Sequence, residues 1–170
     1  DMAVATQKAK TYTRLGADLA LTRYSGVPSS VPLAVADSWG VLDLQVVPGG
    51  RGGLPQTGEI LDAGAVAGRA NLAQALILRL LTRQGALRNL GHPDYGCRLV
   101  ELIGELNNET TRNLARLFTL QAIKQETRVK QLIDLSITTV AAQPDTIRIS
   151  FSVLPVDDND SLALTLEVTL

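Results

Sequence analysis

"LIDLSITTVAAQPDTIRISFSVLPVDDNDSLALTLEVTL", residues 132–170, repeats with a period of two. Ile133, Leu135 and Ile137 alternate with Asp134, Ser136 and Thr138. Beyond "AAQPDT", Ile147, Ile149, Phe151 and Val153 alternate with Arg148, Ser150 and Ser152. Beyond "PVDDNDS", Leu162, Leu164, Leu166 and Val168 alternate with Ala163, Thr165 and Glu167. Successive side chains of a strand point to opposite faces, so this is the pattern of three strands sharing one apolar face. The linkers are short and polar, which predicts an antiparallel meander with strands at about 129–140, 146–154 and 162–169.

Upstream the period is that of a helix. In "NLAQALILRLLTRQG" (71–85), Leu72, Leu76 and Leu80 form one row and Ala73, Ile77 and Leu81 the next. Asn71 is placed to cap the start and Gly85 to close the end. "CRLVELIG" (97–104) reads as a short helix. "NETTRNLARLFTLQAIKQ" (108–125) reads as a longer one capped by Asn108, with Leu114, Leu117, Phe118, Ala122 and Ile123 inward. Helices at 68–84, 97–104 and 108–125 are the available cover for the apolar sheet face. The expected class is α+β, with about three helices on one face of a three- to four-stranded, mainly antiparallel sheet. Residues 67–170 form the expected folded domain.

Residues 1–66 differ in character, being rich in Gly, Pro and Ser, with short apolar runs at Asp18–Leu21 and Val41–Val47. They are expected to form an extended N-terminal arm held by packing on something else. "GGRGG" (49–53) lacks the Lys-Ser/Thr of a phosphate-binding loop and reads as a linker. The meander's edge is either covered by the 41–47 segment or left as a template for another chain's strand.

Composition excludes several classes of function. The 16 basic and 17 acidic residues nearly balance, so no charge-driven attachment to nucleic acid or membrane follows. The basic stretches Arg79–Arg83 and Lys124–Lys130 read as solvated helix faces. Aromatic residues are 4% of the chain, too few for a base-stacking or sugar-stacking surface. No apolar run is long enough to span a bilayer, and Asp1–Lys10 lacks a signal-peptide core.

Reactive side chains concentrate in "LGHPDYGCRL" (90–99), which holds the sole histidine, His92, and the sole cysteine, Cys97. A nucleophilic cysteine needs a base in reach and a third group to orient it, and nothing in the pattern places these. One His, one Cys and Asp94 match no common zinc spacing. The structural reading has positive support. Pro93 fixes its own φ, Asp94 can bond turn amides, Tyr95 can lie on the core, and Gly96 allows positive φ. Glu101 and Glu105 read as solvated helix residues. "DDND" (157–160) lacks the Gly and Glu of a calcium loop and reads as a hairpin turn. No catalytic, metal or cofactor residue is expected.

Three pieces, in this order and spacing, resemble the GPW-like family of small baseplate wedge proteins from contractile phage tails, type VI secretion baseplates and extracellular injection particles. They are the helix "NLAQALILRLLTRQGAL", the loop "HPDYGCRLVELIGE" and "RNLARLFTLQAIKQETRV", together spanning about residues 68–140. In the family a Glu-Pro-Arg tripeptide contributes to wedge contacts; here it reads Glu126-Thr127-Arg128. The resemblance implies that Glu126 and Arg128 bind a partner and that Pro93, Asp94, Tyr95 and Gly96 form a structural loop. It implies a non-enzymatic baseplate subunit, present in six copies or a multiple of six and assembled in the bacterial cytoplasm. The implied partners are other wedge subunits, the first ring of sheath subunits, and hub or tube proteins through the arm. Nucleic acid, membrane insertion and small-molecule substrates are not expected. Some family members have been described as lysozyme-like, so a peptidoglycan hydrolase is one alternative. A small cytoplasmic adaptor that binds by its sheet edge is another.

Overall fold

The computed structural model describes residues 14–24, 28–32, 41–44, 46–48 and 61–170. Strands β1 (Ala17–Leu19), β2 (Leu21–Tyr24), β3 (Pro28–Pro32), β4 (Val41–Leu44), β5 (Val46–Pro48), β6 (Leu61–Ala63) and β7 (Ala65–Ala67) come first. Helix α1 (Gly68–Leu81), helix α2 (Glu109–Lys124) and strands β8 (Val129–Val140), β9 (Gln143–Pro155) and β10 (Leu162–Thr169) follow. The class is α+β. The "GGRGG" stretch lies outside the described residues.

The three C-terminal strands form an antiparallel meander in the order β10-β9-β8. Its inner face is apolar, with Ile147, Ile149, Phe151, Val153, Leu164, Leu166 and Val168 all at most 3% exposed. Leu72, Leu76, Ile77 and Leu80 of α1, and Phe118, Ala122 and Ile123 of α2, close over it in one core. The outer face is polar. Arg148 and Glu167 pair across β9 and β10 at 2.6 Å, and the Ser150 and Thr165 hydroxyls meet at 3.3 Å.

Several expectations are corrected. The described residues contain two α-helices rather than three, because "CRLVELIG" forms only a 3-10 turn at Leu99–Leu102. That turn ends where Ile103 becomes extended, and Gly104 follows with positive φ, so no second turn of helix can propagate. The strict alternation of Ile133, Leu135 and Ile137 also fails. Leu132 faces Val153, Asp134 faces Ser152 and Leu135 faces Phe151, so Ile133 is the extra residue of a β-bulge. The bulge turns Leu132 toward the core and leaves Ile133 53% exposed. In α2 the buried row is Thr111, Ala115, Phe118, Thr119, Ala122 and Ile123, while Leu114 and Leu117 stay 39% and 45% exposed. The leucines of this helix lie off the buried row, in which the small residues Ala115, Thr119 and Ala122 flank Phe118 and Ile123.

Asn71 does not cap α1. The helix begins three residues earlier, and the Asn71 side-chain amide donates to the Leu15 carbonyl at 2.8 Å. One turn on, Gln74 donates from Nε2 to the Leu19 carbonyl and accepts the Leu21 N–H at Oε1, both at 2.8 Å. These two buried amides grip the 15–21 segment as a strand's backbone would. Leu15, fully buried, and Ala20, 5% exposed, are thereby anchored. The other early strands pair as β1-β7, β3-β2-β4 and β5-β6, so the 41–47 region pairs with β2 and β6 rather than covering the meander. Among the described residues no strand pairs with the outer edge of β8 or β10, and no helix is long and apolar enough to cross a membrane.

Candidate functional site

The loop after α1 is built around Gly96. Its φ is +109°, and a Cβ there would lie 2.6 Å from the Thr82 carbonyl oxygen and 2.7 Å from that of Arg83. This close approach lets Cys97 donate its N–H to Thr82 at 2.8 Å and accept the Gln84 N–H at 2.9 Å. The Tyr95 N–H donates to the His92 carbonyl at 3.3 Å, closing the turn. Pro93 and Asp94 sit exposed at its tip, and Asp94 makes no hydrogen bond among the described residues. The backbone, not the Asp94 carboxylate, holds the turn.

This loop presents the Tyr95 ring to α1, where the Arg79 guanidinium lies 4.5 Å from the ring centroid. Arg79 reaches onward to Glu126 at 3.4 Å. Glu126 follows α2 directly, its N–H held by the Ile123 carbonyl at 3.1 Å. Its two carboxylate oxygens receive Arg128 Nε at 2.7 Å and Nη2 at 3.1 Å, a bidentate pair. Arg128 Nη1 then donates to the Leu15 carbonyl at 3.2 Å, the acceptor that Asn71 also uses. The loop residue Tyr95 and the pair Glu126–Arg128 therefore belong to one cluster, joined by Arg79. The Arg79 side chain is only 13% exposed, so this residue is not part of a solvated face. A cation near the C-terminal end of a long apolar helix, facing a carboxylate just beyond a second helix, was the available signal.

The electrostatics are those of a paired structural cluster, in which Arg79 Nε alone is buried without a hydrogen-bond partner among the described residues. Burial pushes the Glu126 carboxyl upward, but the hydrogen bond and charge of Arg128, with the charge of Arg79, outweigh it and hold the group below its ordinary value. Burial raises the Tyr95 hydroxyl; Arg79 opposes this and Glu126 reinforces it. Burial likewise pushes the Cys97 thiol up, against backbone hydrogen bonds near Leu99 and Arg98. A buried thiol so disposed, with its Sγ 3.5 Å from the Phe118 carbonyl, is not primed as a nucleophile. His92 is exposed, whereas this sulfur is buried.

Two further acidic groups, Glu101 and Asp158, are engaged in structure. Glu101 forms a surface pair with Arg98 at 2.7 Å, and that hydrogen bond lowers its carboxyl pKa. Asp158 accepts the Asn159 N–H at 2.9 Å and the Asp160 N–H at 3.2 Å, and it takes Arg69 of α1 on its second oxygen. Arg69 also donates to the Asp160 and Ser161 carbonyls, so "DDND" is a turn latched to the start of α1. No three metal-ligating side chains come together among the described residues.

No family model matches the chain, and neither does any curated protein. A matching solved structure shares the fold over part of the chain. It is a Geobacter sulfurreducens protein provisionally named a tail lysozyme, 22% identical, with a TM-score of 0.50 over 59% of this chain and 88% of that one. At that identity the likeness is one of fold.

Proposed function

We propose that this protein is a structural subunit of a contractile tail or injection machine, a baseplate wedge component on which sheath assembly begins. The observation that carries this reading is the outer edge of β10. From Leu162 to Thr169 it pairs with β9 without a register shift. The Leu170 N–H donates to the Asp145 carbonyl, which makes that pair a hydrogen-bonded one. Alternation along the ladder then turns the amides of Ala163, Thr165, Glu167 and Thr169 outward. The opposite edge, β8, has register shifts at Val129/Gln131 and Leu132/Asp134, the irregularity that discourages strand addition. β10 is thus the edge suited to receive a sheath strand, by main-chain bonding in register.

Support also comes from the wedge-family resemblance of the helix, loop and Glu126–Arg128 segments, and from a fold shared with a protein named a tail lysozyme. On this reading Glu126 and Arg128 serve wedge contacts by holding the backbone at Leu15 in place, since Glu126 itself is only 6% exposed. Six copies, or a multiple, would join neighbouring wedge and hub components in the cytoplasm and end in the baseplate.

The name of that solved structure favours peptidoglycan hydrolysis as a second reading. A glycosidase acid needs a raised carboxyl pKa, whereas Glu101 and Glu126 are displaced downward. Two experiments separate the readings. Thr165→Pro removes an outward amide and should leave the isolated fold intact while abolishing sheathed particles, with Thr165→Ala assembling normally. Normal sheaths in Thr165→Pro would refute the platform, and clearing of peptidoglycan by the purified protein would establish the hydrolase.

A further inference from the structure

Nine large apolar side chains are exposed among the described residues, and five of them, Val100, Ile103, Leu106, Leu114 and Leu117, fall within one short stretch. Leu114 and Leu117 line a groove of about 520 Å³ between α2 and the 3-10 turn. Thr110, Leu114 and Leu117 stand at i, i+4 and i+7, so one wall is a helical ridge. The other wall carries Arg98, Glu101, Leu102 and Glu105. Arg98 is committed: it grips Glu101 through two nitrogens at 3.0 and 2.7 Å, and its guanidinium lies 4.4 Å from the Phe118 ring centroid. Glu105 is left as the open charge of the rim, and none of the cations of α2, Arg112, Arg116 and Lys124, lines the groove.

We propose that this groove docks an amphipathic α-helix of a partner protein. Aliphatic side chains spaced i, i+3 or i+4 would sit on the Leu114–Leu117 ridge, with a Lys or Arg facing Glu105. The ridge has helical spacing and neither wall offers an unpaired strand edge, so the mode is helix in groove. A second copy is a poor occupant. The apolar stripe of α1 is spent in the core, and self-pairing through this same face would bring the unpaired Glu105 of one copy toward that of the other. This surface is separate from the β10 edge and stands whether or not that edge receives a sheath strand.

The test uses the full chain and two synthetic helical peptides of roughly 18 residues, one of Leu and Lys and one of Leu and Glu in the same order. In fluorescence anisotropy the Leu/Lys peptide should bind in the range of roughly tens of micromolar, and the Leu/Glu peptide about tenfold more weakly. Leu117→Asp should weaken the Leu/Lys peptide about tenfold or more, and Glu105→Gln should narrow the difference between the peptides. Circular dichroism melts check that Leu117→Asp is folded, with Leu117→Ser read in its place if it is not. Equal binding of both peptides, or binding untouched by the Leu117 variant, overturns the proposal. So does self-association in sedimentation velocity that the Leu117 variant abolishes, since the occupant would then be a second copy.

Discussion

Gly96 and Gly91 both have positive φ, +109° and +87°, but only Gly96 lies against backbone. Gly91→Ala should therefore lose only the strain of a left-handed alanine, about 1 kcal/mol, whereas Gly96→Ala adds a clash with two carbonyl groups and should lose about 3 kcal/mol or more. Urea unfolding of the pair checks this, and equal losses would show that the close approach does not matter. Glu126 predicts an effect of pH. Its folded-state pKa lies below the ordinary value. Its ionised form therefore stabilises the fold fully above the ordinary carboxylate pKa, and that contribution fades as pH falls through the lower folded value. Glu126→Gln should be less stable than wild type at pH 7 by about 2–3 kcal/mol, less than for a fully buried pair because Arg128 remains partly in water. The gap in melting temperature should shrink as pH drops from about 6 to about 3. A constant gap would mean that the carboxylate charge contributes nothing.

At the scale of elements, β8 is the place to test register. The period-two pattern puts Ile133 inside, whereas the bulge puts Leu132 there. Leu132→Ala should then lose about 2 kcal/mol and Ile133→Ala under about 1 kcal/mol. The reverse order in chemical denaturation would restore the unbulged register. The bulge was not legible because Leu132 and Ile133 are both apolar and adjacent, so either parity satisfies the pattern. The phase of α2 was hidden for a related reason. Leu114, Leu117 and Phe118 make a plausible stripe, yet of these only Phe118 is buried, beside Ala115 and Thr119, whose small size gives little hydropathy signal.

For the molecule as a whole, the join between the early strands and the helical layer rests on few groups. Gln74→Ala removes both bonds to the 19–21 backbone and should leave the meander and helices folded. Amide exchange at Leu21 should rise about tenfold or more relative to β9 amides. Unchanged exchange at Leu21 would show that packing of Leu15 and Ala20 alone secures the segment. The sites divide in the same way. The turn chemistry of "PDYG" and the pair Glu126–Arg128 were each visible locally, but not their junction through Arg79, nor the grip of Asn71 and Gln74 on residues more than fifty positions away.

By itself the sequence determined the two long helices, the antiparallel meander and the apolar inner face of β9 and β10. Each depends on side-chain periodicity or backbone preference within a few residues. Only tertiary structure decided which face of α2 is buried, the parity of β8, the shortening of residues 97–104 to a 3-10 turn, and which polar residues of α1 turn inward. Those outcomes depend on how closely layers approach and on which distant backbone group remains unpaired. Neither quantity exists until the chain has closed on itself.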